Sequence, residues 1–185
     1  IQANGQVQDI GGQLVYQNLK SRWNYGASVE HIPYIYGGYA RDPNTGQYFL
    51  IINRIFVDQA MLSTAYPFSS TKRLEFSAGE TRLGYGTQVQ SLDVFGNPYA
   101  QTDGASQPTA WYTTASMALV GDASYSAFTN PIQGSRYRFE VAPTLGSFQY
   151  TSALADYRTY KFVRPVTFAL RGVQYGRYGR DGDSG

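Results

Sequence analysis

Residues 134–175, GSRYRFEVAPTLGSFQYTSALADYRTYKFVRPVTFALRGVQY, contain three segments in which apolar and polar side chains alternate. The first segment places on one side the apolar set Tyr137, Phe139, Val141, Pro143 and Leu145. The pattern restarts after Gly146-Ser147 and again after Pro165, which cannot donate to a central ladder and therefore predicts a turn. A side-chain period of two predicts strands with one apolar and one charged face. Three successive strands of this kind, each of about ten residues, are typical of a transmembrane β-barrel.

The composition agrees with a barrel wall. Charged residues make up 15% of the chain, below the quarter or so of a soluble domain, and aromatic residues make up 16%. The mean hydropathy is nevertheless negative, at −0.37, and no apolar run approaches the roughly 18 residues of a transmembrane helix. Strands with one lipid face and one water face explain both facts. The chain has no Cys, which excludes a disulfide scaffold and thiol-based metal sites, and its net charge of +2 predicts no nucleic-acid partner.

The whole chain predicts an all-β, antiparallel, up-and-down barrel domain with eight strands in residues 1–185. Five strands precede the three above, at residues 6–16, 23–30, 47–68, 73–86 and 111–119. Residues 33–47 and 86–108 are predicted to be long loops, and residues 122–134 a link. Outer-membrane barrels have short periplasmic turns and long external loops, so the lengths of the connections predict which end of each strand lies on the periplasmic side. This orientation predicts that Trp23 and Trp111 lie at the two membrane interfaces, where aromatic rings settle.

The alternation also assigns side chains to the two surfaces of the barrel. A charge on the lipid face costs roughly 2–4 kcal/mol at the midplane, so charged residues are expected to face the lumen. The predicted lumen-facing set is Glu30, Arg54, Arg73, Glu75, Arg136, Arg138, Glu140, Asp156, Arg158 and Arg171. The predicted lipid-facing set is Met117, Phe139, Val141, Phe168 and Leu170. The lumen charges form either a hydrated ion-pair lattice or a surface that contacts a plug loop or a passing polypeptide.

Several motifs together resemble those of the bacterial surface antigen family, the outer-membrane barrels related to BamA and to two-partner secretion transporters. They are residues 134–140 (GSRYRFE), 156–160 (DYRTY), 168–172 (FALRG), 66–69 (YPFS), 73–76 (RLEF), 9–12 (DIGG) and 22–26 (RWNYG). The last four resemble the branch in which a TolB-like propeller precedes the barrel. The resemblance implies a sixteen-stranded barrel in the bacterial outer membrane, so this chain is expected to supply about half of it. It also implies that Glu140 and Asp156 are candidates for docking an external loop.

Two classes of function follow. The first is a non-enzymatic barrel of the surface-antigen type, engaged in protein insertion, translocation or anchoring of a periplasmic domain. Its expected partners are membrane lipid, lipopolysaccharide, and a client polypeptide or a periplasmic domain of the same protein. The alternative is a passive pore or structural barrel. A soluble β-sandwich is disfavoured, because the strands lack the corner residues of a two-sheet pattern.

No cofactor, metal site or catalytic group is predicted. The GDSG sequence at residues 182–185 matches the nucleophile segment of chymotrypsin-like proteases, and His31 is the one His of the chain. A catalytic triad requires a buried Ser beside a His that a carboxylate orients, whereas this Ser follows a Gly- and Asp-rich run. A single His without Cys does not make a zinc site, so His31 is expected to lie at a strand end near the membrane interface.

Overall fold

The computed structural model of the chain describes residues 2–3, 7–93, 95–127 and 130–183. In these residues the fold is all-β, with eleven strands and one short 3₁₀ turn at Val7–Asp9. The strands are β1 (Gln2–Ala3), β2 (Ile10–Asn18), β3 (Asn24–Arg41), β4 (Tyr48–Ser69), β5 (Lys72–Leu92), β6 (Pro98–Asp103), β7 (Ala110–Asp122), β8 (Tyr125–Ala127), β9 (Asn130–Gly146), β10 (Tyr150–Val163) and β11 (Val166–Tyr178). Among the residues described, no helix has the length and hydropathy to cross a bilayer.

The strands form one antiparallel, up-and-down sheet in the order β1-β2-β3-β4-β5-β7-β9-β10-β11. This confirms the predicted all-β, up-and-down architecture, and the eight predicted strands correspond to β2, β3, β4, β5, β7, β9, β10 and β11. The predicted number was too low, because β1 pairs with β2, β6 with β5 and β8 with β9. Within the described residues the path of pairing runs from β1 to β11 without closing.

The predicted loop at residues 33–47 is wrong over most of its length. Strand β3 continues to Arg41, and only the turn before β4 remains, in which the Gly46 amide donates to the Asp42 carbonyl at 2.9 Å. Gly46 has φ +72°, a conformation that favours glycine. The tyrosines and paired glycines of this segment do not alternate by polarity, so no periodic signal marks a strand there.

The predicted loop at residues 86–108 is wrong for a related reason. Strand β5 continues to Leu92 and pairs with β6 in the register Gln88↔Asp103 and Gln90↔Gln101. Between the two strands, the Asp93 amide donates to the Asn97 carbonyl at 2.9 Å. Glutamines and other polar residues interrupt the apolar residues of this hairpin, so no regular apolar alternation marks it. The predicted link at residues 122–134 likewise contains β8 and the start of β9, paired through Tyr125↔Gln133.

The chain separates into two compact units. The first unit comprises Ile1–Leu14, Val29–Ala60 and Thr81–Trp111, and the second comprises Val15–Ser28, Met61–Glu80 and Tyr112–Gly185. The second unit contains the three strands predicted most directly by alternation. Strand β10 pairs with β9 through Tyr157↔Tyr137 and with β11 through Arg158↔Arg171, without a register shift.

Candidate functional site

An apolar face extends over β7, β9, β10 and β11 of the second unit. Residues directly opposite each other in an antiparallel pair project from the same face of the sheet. The register places Met117 opposite Val141, and Phe139 between Leu119 on one neighbour and Ala155 on the other. Two residues of β11 join this face, because Leu170 lies opposite Thr159 and Phe168 opposite Lys161.

The five predicted lipid-facing residues therefore share one face. They are 44–71% exposed, namely Phe139 44%, Val141 48%, Met117 51%, Phe168 62% and Leu170 71%. Single exposed apolar residues are common on proteins, but a contiguous apolar surface marks a binding or membrane surface. This apolar face is one candidate functional surface.

The opposite face of these strands and of the neighbouring β5 carries ion pairs, and we call it the ionic face. Its central chain begins with Arg73, whose Nε donates to Glu75 Oε1 at 2.5 Å. Arg138 links the other oxygen of Glu75, at 2.7 Å, to Glu140, at 2.6 Å. Since Glu140 lies two residues from Arg138 on β9, strand geometry alone places both side chains on one face.

Asp156 neutralises two arginines of the ionic face. Arg158 and Arg171 lie directly opposite each other on β10 and β11, an arrangement that is unfavourable for like charges. The Asp156 carboxylate accepts from Arg158 at 2.7 Å and from Arg171 at 2.9 Å. One carboxylate thus bridges both guanidinium groups and removes the repulsion.

Arg136 forms a third ionic group with a residue that the sequence did not single out. Its guanidinium lies 2.7 Å from Asp122, its cross-strand partner on β7. The Ser124 hydroxyl also donates to this carboxylate, at 2.6 Å. The three groups adjoin one another, because residues of each line one shallow hollow of the sheet.

The other two predicted lumen residues lie in the first unit. Arg54 donates to Asp9 Oδ1 at 3.1 Å and to Gln88 Oε1 at 2.7 Å, in a buried cluster. Asp9 is 1% exposed, and its Oδ2 has no hydrogen-bond partner among the described residues. Glu30 accepts a hydrogen bond from the Gln13 side chain at 2.9 Å.

His31 belongs to a polar cluster inside a strand, contrary to the strand-end position expected for it. It lies within β3, and its Nδ1 is 2.5 Å from Asp58 Oδ1. Arg82 donates to the other oxygen of Asp58 at 2.8 Å. The sequence did not predict this cluster, because the three residues come from three different strands.

The two tryptophans lie at or next to strand ends. Trp23 directly precedes β3, is 50% exposed and packs against Tyr66 with ring centroids 4.9 Å apart. Trp111 is the second residue of β7 and is also 50% exposed, with the Arg82 guanidinium 5.8 Å from its ring centroid.

Glu140 and Asp156, the residues expected to dock an external loop, are already engaged in ion pairs. Both carboxylates already accept from arginines of the ionic face. A docking loop would therefore have to displace an arginine or bind an arginine that remains partly accessible, such as Arg171.

The described residues contain no group of three or more His, Asp or Glu side chains that could hold a metal ion. The GDSG sequence extends to Ser184 and Gly185, which lie outside the described residues.

No protein-family model matches the chain, and neither a curated protein nor a solved structure is significantly similar to it. The functional argument therefore depends on the two faces of the sheet.

Proposed function

We propose that this chain forms part of the wall of a transmembrane β-barrel in the bacterial outer membrane. In this proposal the apolar face contacts lipid and the ionic face lines a hydrated lumen. The single observation that carries it is the strand register of the second unit, which collects exposed apolar side chains on one face and ion pairs on the other. Burying these ion pairs in lipid would cost several kcal/mol, so only this orientation is compatible with a bilayer.

The barrel is proposed to contain additional strands. Backbone amides and carbonyls in lipid must be paired, so a spanning sheet has to close. The described strands form an open path from β1 to β11. A barrel of about sixteen strands, as in the surface antigen family, would close the path through strands other than these.

The proposed activity is non-enzymatic: protein insertion, translocation, or anchoring of a periplasmic domain. The support is the resemblance of residues 134–140, 156–160 and 168–172, which lie on three adjacent strands and supply most of the ionic face. Lipid and lipopolysaccharide are the proposed partners of the apolar face. A client polypeptide or a periplasmic domain is the proposed partner inside or below the lumen.

A passive pore is the second candidate, and one observation favours it. Each of the eight predicted lumen residues in the second unit already has an oppositely charged partner on the ionic face. A lattice that neutralises itself stabilises the wall without any passing polypeptide. In that case the charges set ion preference only.

Single-cysteine variants test the orientation. Neighbouring positions on one strand form matched pairs, such as Phe139→Cys with Arg138→Cys and Leu170→Cys with Arg171→Cys. In membrane-inserted protein, a membrane-impermeant thiol reagent is expected to label positions 138 and 171 and to leave 139 and 170 protected. Labelling with the opposite pattern would contradict the barrel proposal.

Conductance of the full-length protein in a planar bilayer separates the two candidates. A translocator with a plugged lumen is expected to give small, flickering currents. A large and steady conductance would favour the passive pore.

A further inference from the structure

Within the first unit, the 3₁₀ turn Val7–Asp9 makes polar contacts with β3 and β4. The Gln8 carbonyl oxygen is 3.1 Å from His31 Nε2 on β3. Asp9 Oδ1 accepts from Arg54 Nε on β4 at 3.1 Å, in the buried cluster described above. The turn is therefore held to β3 by the imidazole of His31 and to β4 by the guanidinium of Arg54.

His31 faces an acceptor on each of its ring nitrogens. Nε2 faces the Gln8 carbonyl, and Nδ1 faces the Asp58 carboxylate at 2.5 Å. A neutral imidazole has one N–H, whereas an imidazolium has two. Both hydrogen bonds can form together only when His31 is protonated.

The acidic groups near His31 favour the protonated ring, and each of them also has a partner other than His31. On β4, Asp58 also accepts from Arg82 of β5 at 2.8 Å, so it keeps a cationic partner when His31 is neutral. On the turn, Asp9 is paired with Arg54 and not with His31. Next to His31 on β3, Glu30 accepts from Gln13. The Phe56 ring stacks on the imidazole at a centroid distance of 5.9 Å and holds its plane.

Loss of the proton from His31 is expected to weaken its contact with the Gln8 carbonyl more than its contact with Asp58. The remaining N–H is expected to stay on Nδ1, because a carboxylate is a stronger acceptor than an amide carbonyl. Nε2 then presents a lone pair to the Gln8 carbonyl oxygen. Two acceptors at 3.1 Å repel each other, so the turn is pushed from the sheet at Gln8.

We propose that His31 is a proton-operated latch, which holds the Val7–Asp9 turn on β3 when the ring is protonated and releases it when the ring is neutral. Asp58, Arg82 and Phe56 position the ring, and the Asp9–Arg54 ion pair keeps the released turn tethered. The device requires only residues of the first unit and does not depend on the proposed barrel function.

The chain is suited to a direct test, because it has a single His and no Cys. In the full-length protein, a nitroxide on Gln8→Cys reports the mobility of the turn, and the backbone carbonyl that His31 contacts is retained. Ring signals in NMR spectra follow the protonation of His31 over about pH 5 to about pH 9. We expect more than half of the immobilised nitroxide component to be lost, with the same midpoint as the ring titration.

Two variants complete the experiment. In the labelled His31→Gln protein, nitroxide mobility is expected to be independent of pH. The labelled Glu30→Gln protein is the matched control and is expected to respond as the parent does. The proposal is overturned if the turn stays immobile while the ring titrates, if the ring does not titrate in this range, or if His31→Gln keeps the pH response. Should His31→Gln fail to fold, the titration of the labelled parent decides alone.

Discussion

The ring of Tyr137 lies directly over Gly121, its cross-strand partner on β7. A Cβ built on Gly121 would stand 2.3 Å from two atoms of that ring, much closer than van der Waals contact allows. Tyr137 also stacks on Phe139, with ring centroids 5.5 Å apart. The glycine thus provides the space in which one aromatic ring of the apolar face lies flat on the sheet.

We expect Gly121→Ala to destabilise the protein by about 1–3 kcal/mol, the usual cost of forcing extra volume into a packed site. The new methyl group would displace the Tyr137 ring from Gly121 and from Phe139. Urea unfolding in detergent, followed by tryptophan fluorescence, measures the change.

The matched control is Gly172→Ala. Gly172 also lies directly opposite a tyrosine, Tyr157, but nothing lies within 4 Å of the position that its Cβ would take. We expect this variant to be neutral or slightly more stable, since alanine restricts the unfolded chain. Equal destabilisation by both alanines, or an unchanged cost of Gly121→Ala in a Tyr137→Ala background, would contradict the steric explanation.

The sequence predicted the fold where polarity alternates and failed where it does not. Strands β9, β10 and β11 carry regular alternation, so their existence and order could be inferred, although β9 begins at Asn130, inside the predicted link. The β5–β6 hairpin places glutamines opposite polar partners, and the end of β3 places tyrosines beside glycines, so neither has an apolar period.

The ionic partners could be predicted only within a strand. Arg138 with Glu140, and Asp156 with Arg158, follow from a spacing of two residues. Asp122 with Arg136 depends on the register between β7 and β9, which the sequence alone does not specify. For the same reason Asp9, Asp58 and Asp122 were missed as the carboxylates of their clusters.

The coupling energy between Glu75 and Arg138, measured in a double-mutant cycle, tests whether the ionic face is hydrated. The two side chains are 25% and 38% exposed and 2.7 Å apart. In a hydrated lumen we expect a coupling energy below about 1 kcal/mol that falls as salt is added. The variants are Glu75→Gln, Arg138→Gln and their combination. A larger, salt-independent coupling would indicate a dry interface and would argue against a water-filled lumen.

The Asp93 carboxylate binds two backbone amides between β5 and β6. Asp93 Oδ1 accepts from the amides of Asn97 at 2.8 Å and Phe95 at 2.9 Å, and the Asn97 amide is the main reason that the pKa of Asp93 is lowered. We expect Asp93→Ala to accelerate hydrogen exchange of these two amides. Asp93→Asn is the control, because it retains the acceptor oxygen. Exchange at the same rate in Asp93→Ala and the parent would contradict this role.

The lowered pKa also predicts how the turn responds to acid. A carboxylate whose pKa is lower in the folded state than its ordinary value of 3.8 stabilises the fold above that value. This stabilisation is lost only as the pH falls through the lower, folded-state pKa. Intrinsically corrected exchange rates at Phe95 and Asn97 should therefore stay constant from neutral pH down to about pH 4 and rise below it. A rise that begins near neutral pH would exclude Asp93 as the cause.

The edge of β11 gives the sharpest test of whether the sheet continues in the membrane. Among the described strands, β11 pairs with β10 alone, so every second residue directs its amide away from that partner. An unpaired amide in hydrocarbon costs several kcal/mol, whereas in water it is solvated and exchanges quickly. If β11 lies in a closed barrel, all amides from Phe168 to Gln174 should exchange slowly in the membrane-inserted protein, at rates like those of β9, which is paired on both sides. Fast exchange at alternate positions of β11, with β9 protected, would mean that this edge is free and in water, and the barrel proposal would then fail.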